Sequence, residues 1–319
     1  MDCDVSREQL WSWVDREAAE LDEHLAACPC CRARAVEIRS EIELLATSAV
    51  PAELAVPERI GDYAVKRLIG EGGQALVYEA EQAAPVRLAA LKVLKGGRFA
   101  GRNRLQRFVR ETQTLPPLRH PAIATIYETR HTEEGQHFFA MELVDGLPLD
   151  AYARRHELGR EAILDLLAKI CDAVHYAHRH GVIHRDLKPT NILVDKRGEP
   201  HVLDFGLARI TRPDLPLASL VTKPGVIEGT PRYMSPEQAS GDPGDIDART
   251  DVYSLGIIGY ELLTGEPAYD VGGLSRDTVH TICELAPARP SSIRKQPLGD
   301  LDTILLTAIE TAPARRHPT

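Results

Sequence analysis

The run His184-Arg185-Asp186-Leu187-Lys188-Pro189-Thr190-Asn191, followed closely by Asp204-Phe205-Gly206, constrains this chain more than any other stretch. An aspartate, a lysine and an asparagine crowded together are a poor filling for a core strand, because each polar group would need a partner on burial. The same three side chains suit phosphoryl transfer. That chemistry needs a carboxylate to orient an attacking hydroxyl, a cation beside the transferred group, and oxygen ligands for magnesium. A polar loop between two strands could spell these residues by chance, but chance does not supply a second motif at this distance.

The two motifs resemble the catalytic loop H-R-D-x-x-x-x-N and the D-F-G metal motif of protein kinases. The resemblance implies that Asp186 orients the substrate hydroxyl and that Lys188 neutralises the transferred phosphate. It also implies that Asn191 and Asp204 hold magnesium, with manganese as an alternative ion, and that His184 and Phe205 pack the motifs together. Lys188-Pro189-Thr190-Asn191 is the form found in Ser/Thr kinases, and Thr230 is expected to hydrogen-bond Asp186 and Lys188. Between the motifs and Ser235-Pro236-Glu237, which is similar to the family's A-P-E signature, lie the free hydroxyls of Thr211, Ser219 and Thr222. In the family the arginine before the catalytic aspartate, here Arg185, pairs with a phosphorylated loop, so autophosphorylation is expected at Ser219 or Thr222. Glu237 is expected to pair with Arg316. Asp251 opens the apolar helix containing Val252, Leu255, Ile257, Ile258 and Leu262, and is expected to be a buried carboxylate that anchors the catalytic-loop backbone.

Upstream, Tyr63-Ala64-Val65-Lys66-Arg67-Leu68 and Leu76-Val77-Tyr78-Glu79-Ala80 read as strands joined by the glycine-rich turn Gly70-Glu71-Gly72-Gly73-Gln74-Ala75. Such a hairpin lets backbone N–H groups approach phosphates. Alone it is weak evidence. It gains weight from Lys92, a cation inside the apolar strand Leu88-Ala89-Ala90-Leu91-Lys92-Val93-Leu94, where an unpaired charge costs several kcal/mol, so that it wants a carboxylate and a phosphate. The first acid downstream is Glu111, on a basic helical stretch that ends at Pro116-Pro117. It can pair locally with arginines or, as the kinase resemblance favours, with Lys92. Ala75 stands where the kinase loop has its third glycine, a modest perturbation if its φ is negative. Strands are expected over Ile123–Tyr127 and Gln136–Leu143. The ATP pocket implied by the resemblance comprises Ile69, Gly70, Glu71, Gly72, Gly73, Gln74, Ala75, Val77, Ala90, Lys92, Met141, Glu142, Val144 and Leu193. The adenine edge would meet the backbone of Glu142 and Val144, with Met141 as gatekeeper.

A helix over Glu161–His180 buries Ile163, Leu166, Leu167, Ile170, Val174 and Ala177. Its His175, His178 and His180 lack ligand-spaced cysteines or carboxylates and read as solvated or packing residues.

A net charge of −9 argues against a nucleic-acid surface as the main business of the chain. No apolar run is long enough to cross a bilayer, and the acidic start Met1-Asp2-Cys3-Asp4 is unlike an export signal, so a cytoplasmic protein is expected. Four of the six cysteines fall within the first 31 residues, which in a reducing compartment favours metal over disulfides. His24, Cys28 and Cys31 have the spacing of three soft ligands around a tetrahedral zinc. Cys3 is the natural fourth ligand, and Cys30 could substitute. Helices expected over Ser6–Ala26 and from Arg32 through Leu45 are too small to stand without such a staple. The run His24-Leu25-Ala26-Ala27-Cys28-Pro29-Cys30-Cys31-Arg32 resembles the zinc-binding anti-sigma factors, which implies a partner-binding or redox-sensitive module with a sigma factor among its candidate partners. Cys171 and Cys283, in apolar helical contexts, read as buried thiols.

The expected architecture is therefore α+β: a zinc-stapled helical module over 1–47, a Pro/Ala linker over 48–59, and a bilobal protein kinase fold over 60–319. Its small lobe would hold a five-stranded antiparallel sheet and one helix, and its large lobe would be mostly helical and continue past residue 319. The details around Gly229-Thr230-Pro231 are similar to bacterial eukaryotic-like Ser/Thr kinases, so the expected activity is ATP-dependent phosphorylation of protein Ser/Thr hydroxyls. The alternative is a non-catalytic regulator in which the zinc segment binds a partner and the kinase fold is a nucleotide-binding scaffold.

Overall fold

The computed structural model describes His24, Cys28, Cys30 and Cys31, then residues 56–72, 75–95, 118–132, 137–205, 231–240, 246–271, 276–294 and 297–319. The chain divides into two compact units, Met1–Pro57 and Glu58–Thr319.

In the second unit, two-residue alternation builds the first layer. Along β3 (Ala75–Ala83), Leu76, Tyr78, Ala80 and Gln82 are buried, while Val77, Glu79 and Glu81 face outward in part. β3 pairs antiparallel with β2 (Tyr63–Glu71) on one side and β4 (Val86–Leu94) on the other. β1 (Arg59–Ile60), β5 (Ile126–His131) and β6 (His137–Glu142) complete a sheet of order β1-β2-β3-β4-β6-β5. It has six strands rather than the five expected, because Arg59 and Ile60 pair with Ala64 and Tyr63 and extend the edge. Tyr63, Tyr78, Leu91 and Phe138 pack on one face, with the Tyr63 and Phe138 rings edge-to-face at 6.0 Å. The strand expected from Ile123 begins at Ile126. Ile123 instead forms an isolated parallel bridge with Val202, tying the start of β5 to the large lobe.

The second layer is mostly helical. β7 (Gly146–Pro148) leads into α1 (Leu149–Arg155) and α2 (Arg160–Arg179). The buried stripe of α2 is Ile163, Leu166, Ile170, Ala173, Val174 and Ala177, as helical spacing required, with Leu167 packed at its margin. Then come β8 (Ile192–Asp195) and β9 (Pro200–Val202), which with β7 make a small antiparallel sheet. α3 (Pro236–Ser240), α4 (Arg249–Thr264), α5 (Arg276–Glu284), α6 (Pro290–Arg294) and α7 (Asp300–Ala308) finish the lobe. α4 is buried nearly all round. Its Gly256 lets α7 approach closely: a Cβ there would lie 2.6 Å from Ile309 Cγ2. The lobe core gathers α2, Ile258 of α4, and Val182, Leu187, Ile192, Val202 and Phe205, so the polar run is held from beneath by hydrophobic packing. Cys171 departs from expectation, since it lies on the exposed side of α2, while Cys283 is half-buried with its Sγ 3.8 Å from the Pro236 carbonyl. No helix among the described residues is long and apolar enough to cross a membrane.

The expected Glu237–Arg316 pair forms and is bidentate. Arg316 Nη1 and Nη2 donate to the two Glu237 oxygens at 2.7 and 2.8 Å, and the side chains are 0% and 5% exposed. Thr250 Oγ1 adds a third donor at 2.7 Å, and the remaining Arg316 protons reach the carbonyls of Arg249, Glu310 and Thr311. Burial pushes the Glu237 carboxyl up, but the Arg316 hydrogen bonds and charge outweigh it and leave Glu237 below the usual carboxylate value. A depressed carboxylate contributes stability above its unfolded pKa, about 4.3, and that stability is lost as pH falls through the folded value. Arg316→Ala should therefore cost about 3–5 kcal/mol at pH 7, because it leaves an unpaired buried carboxylate. Urea unfolding should show the gap to wild type narrowing on acidification, as Glu237 protonates.

Candidate active site

The polar run is positioned by one carboxylate. Asp251, wholly buried in the first turn of α4, accepts the backbone N–H of His184 on Oδ2 and that of Arg185 on Oδ1, each at 2.8 Å. His178 of α2 donates from Nε2 to the same Oδ2 at 2.8 Å. The role expected for Asp251 is the one observed. That of His178 was missed: of the three histidines at this end of α2, only this one turns inward, and spacing along one helix cannot tell which faces a buried acid.

His184 links the next layer. Its Nε2 donates to the Leu203 carbonyl at 2.7 Å, its Nδ1 accepts the Asp186 N–H at 3.2 Å, and its ring meets Phe205 edge-on at 4.9 Å. The partners fix the neutral Nε2–H tautomer. Leu203 N–H returns to the Asn191 carbonyl at 2.8 Å, so the two motifs are stitched into one unit. Two residues in it have left-handed backbone, Arg185 at φ 67° and Asp204 at φ 63°. Such geometry is rare outside glycine and is maintained by surrounding bonds.

Side chains then converge. Lys188 Nζ donates to Asp186 Oδ2 at 2.9 Å, and Asn191 Nδ2 donates to the same oxygen at 3.2 Å and to the Asp186 carbonyl at 2.8 Å. These bonds fix the rotation of the Asp186 carboxylate. They also commit the amide nitrogen of Asn191, leaving its oxygen as a ligand atom. From the other lobe, Lys92 on β4 reaches Asp204 Oδ2 at 2.6 Å, with the side chains 20% and 16% exposed. Lys92 sits opposite Val77 and Phe139 in the sheet. The expected pairing with Glu111 lies outside the described residues, as do Gly73, Gln74, Ser219, Thr222, Thr230 and Cys3. Asp204 Oδ1 is buried and has no hydrogen-bond partner among the described residues. A buried carboxylate oxygen without a donor among the described residues fits a hard divalent cation such as magnesium.

Above this cluster, Ala90, Phe139 and Met141 pack with Val77 and Leu143. Ala90 lies directly across the sheet from Met141. Glu142 is tied to Thr125 in both directions, N–H to carbonyl at 2.8 Å and carboxylate to N–H at 3.1 Å, and Val144 follows in a segment without regular structure. Leu193 is half-buried on β8. In the glycine-rich turn the Gly72 N–H donates to the Ala75 carbonyl at 2.9 Å, and Lys95 and Glu71 pair at 2.8 Å across its base. Ile69 is exposed beside Gly70. Ala75 is buried and absent from the positive-φ residues, so its methyl is accommodated without strain.

Residues 63–302 match the protein kinase domain. The chain belongs to the protein kinase family. It is 34% identical over 271 residues to the serine/threonine-protein kinase PknB of Mycolicibacterium smegmatis, covering 83% of this chain and 42% of that protein. It is 37% identical over 266 residues to the serine/threonine-protein kinase pkn3 of Myxococcus xanthus, covering 80% and 47%. The chain thus spans less than half the length of these curated relatives. The crystal structure of the Mycobacterium tuberculosis PknI kinase domain is similar at a TM-score of 0.63 and 28% identity, covering 83% of this chain and 95% of that one.

In the first unit, His24, Cys28 and Cys31 have ligand atoms all within 4.8 Å of one another. The Cys28 N–H donates to the His24 carbonyl at 2.8 Å, closing one helical turn, while Cys31 is fully buried and Cys30 exposed.

Because Asp251 satisfies two backbone donors of the kinase domain's catalytic loop, Asp251→Asn, which exchanges one acceptor for a donor, should lower stability by about 1–3 kcal/mol. Hydrogen exchange at the His184 and Arg185 amides should accelerate. Protection equal to wild type would show that the loop does not hang on this carboxylate.

Proposed function

We propose that the kinase domain transfers the γ-phosphoryl group of ATP to serine or threonine hydroxyls of proteins. One observation carries this reading: Asp186, Lys188 and Asn191 are locked in a single hydrogen-bonded cluster, with Lys92 and Asp204 paired across the lobes beside it. Asp186 orients the acceptor hydroxyl and takes its proton as the oxygen bonds to phosphorus and the bond to the ADP oxygen breaks. Lys188 balances charge on the transferred group. Lys92 holds the phosphates, with Glu111 as its expected support, and Thr230, by the family resemblance, would brace Asp186 and Lys188. Asn191 and Asp204 would hold magnesium, or manganese, which when bound offsets the charge of the phosphates. ATP would lie over Ala90, Val77 and Leu193, with its adenine edge at Glu142 and Val144 beside Met141, and with Ile69, Gly70, Glu71, Gly72 and Ala75 around its phosphates. Serine/threonine acceptors are favoured by the names of the relatives and by the Lys188-Pro189-Thr190-Asn191 form of the loop. Autophosphorylation at Ser219 or Thr222 would pair with Arg185.

Radiolabelled transfer to the chain itself and to a generic protein tests the reading. Asp186→Asn should lower transfer by at least about 10²-fold. A wild-type signal equal to that of the variant would refute it.

We further infer that His24, Cys28 and Cys31 hold a structural zinc ion, with Cys3 or Cys30 as fourth ligand. The support is the convergence of three soft ligands, one of them a fully buried thiol. Protein purified without chelators should contain close to one zinc per chain, and Cys31→Ser should abolish it. A zinc content near zero in wild type would sink the assignment.

A further inference from the structure

The peptide joining Arg185 to Asp186 is the last backbone unit before the candidate catalytic carboxylate, and it is gripped from both sides. On its N–H side, Asp186 donates to His184 Nδ1 at 3.2 Å. On its carbonyl side, the Arg185 oxygen accepts Gln238 Nε2 at 2.7 Å. The preceding N–H, that of Arg185, is held by Asp251. Gln238 therefore completes the set of bonds that keeps Arg185 at φ 67°.

The other end of the same amide is also engaged. Gln238 Oε1 accepts the Ser235 N–H at 3.1 Å and the Ser235 Oγ–H at 3.3 Å, and Ser235 Oγ receives the Gln238 N–H at 3.4 Å. This is a capping box at the start of α3, with Ser235 as cap and Gln238 three residues on. Most such glutamines end their work at the cap. Here the remaining amide protons point at the catalytic loop. An amide is suited to both tasks, because it offers an acceptor to Ser235 and a donor to Arg185. A glutamate could keep the cap but would set a carboxylate oxygen against the Arg185 carbonyl. Ser235 lies two residues after Pro231–Tyr233, a 3-10 turn, so the amide joins the position of this stretch to the aim of Asp186.

We propose that Gln238 is a positioning residue for phosphoryl transfer: its side-chain amide fixes the Arg185 carbonyl and so orients the Asp186 carboxylate. The inference rests on the kinase reading above. Misplacement of a catalytic group by a fraction of an ångström costs rate rather than nucleotide affinity. With the full chain, Gln238→Glu and Gln238→Met should each lower kcat roughly tenfold, with KM for ATP within about twofold of wild type. Ser235→Ala loses part of the cap but keeps the Ser235 N–H to hold Gln238 Oε1, and should leave kcat unchanged. Amide exchange across Arg185–Leu187 should quicken in both Gln238 variants and not in Ser235→Ala. The proposal is overturned if a folded Gln238 variant keeps wild-type kcat, if Ser235→Ala loses as much, or if both Gln238 variants fail to unfold cooperatively, which would make the residue merely structural. Absence of transfer by wild type would instead defeat the kinase reading, and the exchange pattern would still report whether the clamp exists.

Discussion

The catalytic loop hangs from a carboxylate that water does not reach. A buried aspartate is tolerated only where donors surround it, and Asp251 has three: two successive backbone amides of the loop and the ring of His178. Backbone donors cannot be mutated away and do not rotate, so the loop inherits the rigidity of α4, a helix buried nearly all round. Two residues of the His184–Asp204 unit sit in left-handed backbone, each at a cost of about 1–3 kcal/mol. Without the anchor beneath them those conformations would relax, and Asp186 and Asp204 would lose their relative aim.

A different kind of contact joins the lobes. Lys92 and Asp204 meet at 2.6 Å, both mostly shielded from solvent. As a source of stability such a pair is ambiguous, since desolvation can offset its attraction. As a geometric device it is clear: it aligns β4 of the small lobe with the end of the β9 segment. The second oxygen of Asp204 has no hydrogen-bond partner among the described residues, which suits a cation ligand.

Local chemistry was legible in the sequence, and choices among equivalent partners were not. Lys92 and Asp251 could be read because each places a charge in an apolar stretch where an uncompensated one is costly, whereas the polar run and the Glu237–Arg316 pair were read from their resemblance to the kinase motifs. The six-stranded sheet differs from the five expected because Arg59 and Ile60 have no periodicity to announce a strand; they pair only because Tyr63 and Ala64 present an open edge. Cys171 lies in an apolar context along the chain, yet the α2 stripe passes it by, a matter of helical phase rather than composition. His178 and Gln238 stayed hidden for a related reason. Neutral polar side chains incur no large penalty when solvated, so nothing in the sequence demanded that they be buried against the loop. The capping-box pattern at Ser235 could have marked Gln238 as structured, but not its second bond.

That second bond gives α3 a task larger than its size. A five-residue helix has no stability of its own. Successive residues secure it in different ways: Glu237 is buried in the Arg316 fork, and Gln238 joins its own cap to the Arg185 carbonyl. The first contact fixes where the helix sits in the lobe, through an interaction near the end of the described chain. The second passes that position to the loop. A short helix braced in this way acts as a bracket rather than as packing. The strained Arg185 is then held in compatible geometry by α4 through its N–H and by α3 through its carbonyl. The two holds act on successive peptide units, the N–H on the one before Arg185 and the carbonyl on the one after it, so together they set the residue's φ and ψ. The second unit is also held at its other edge, where the Asp186 N–H meets His184 Nδ1, and Asp186 follows as a consequence.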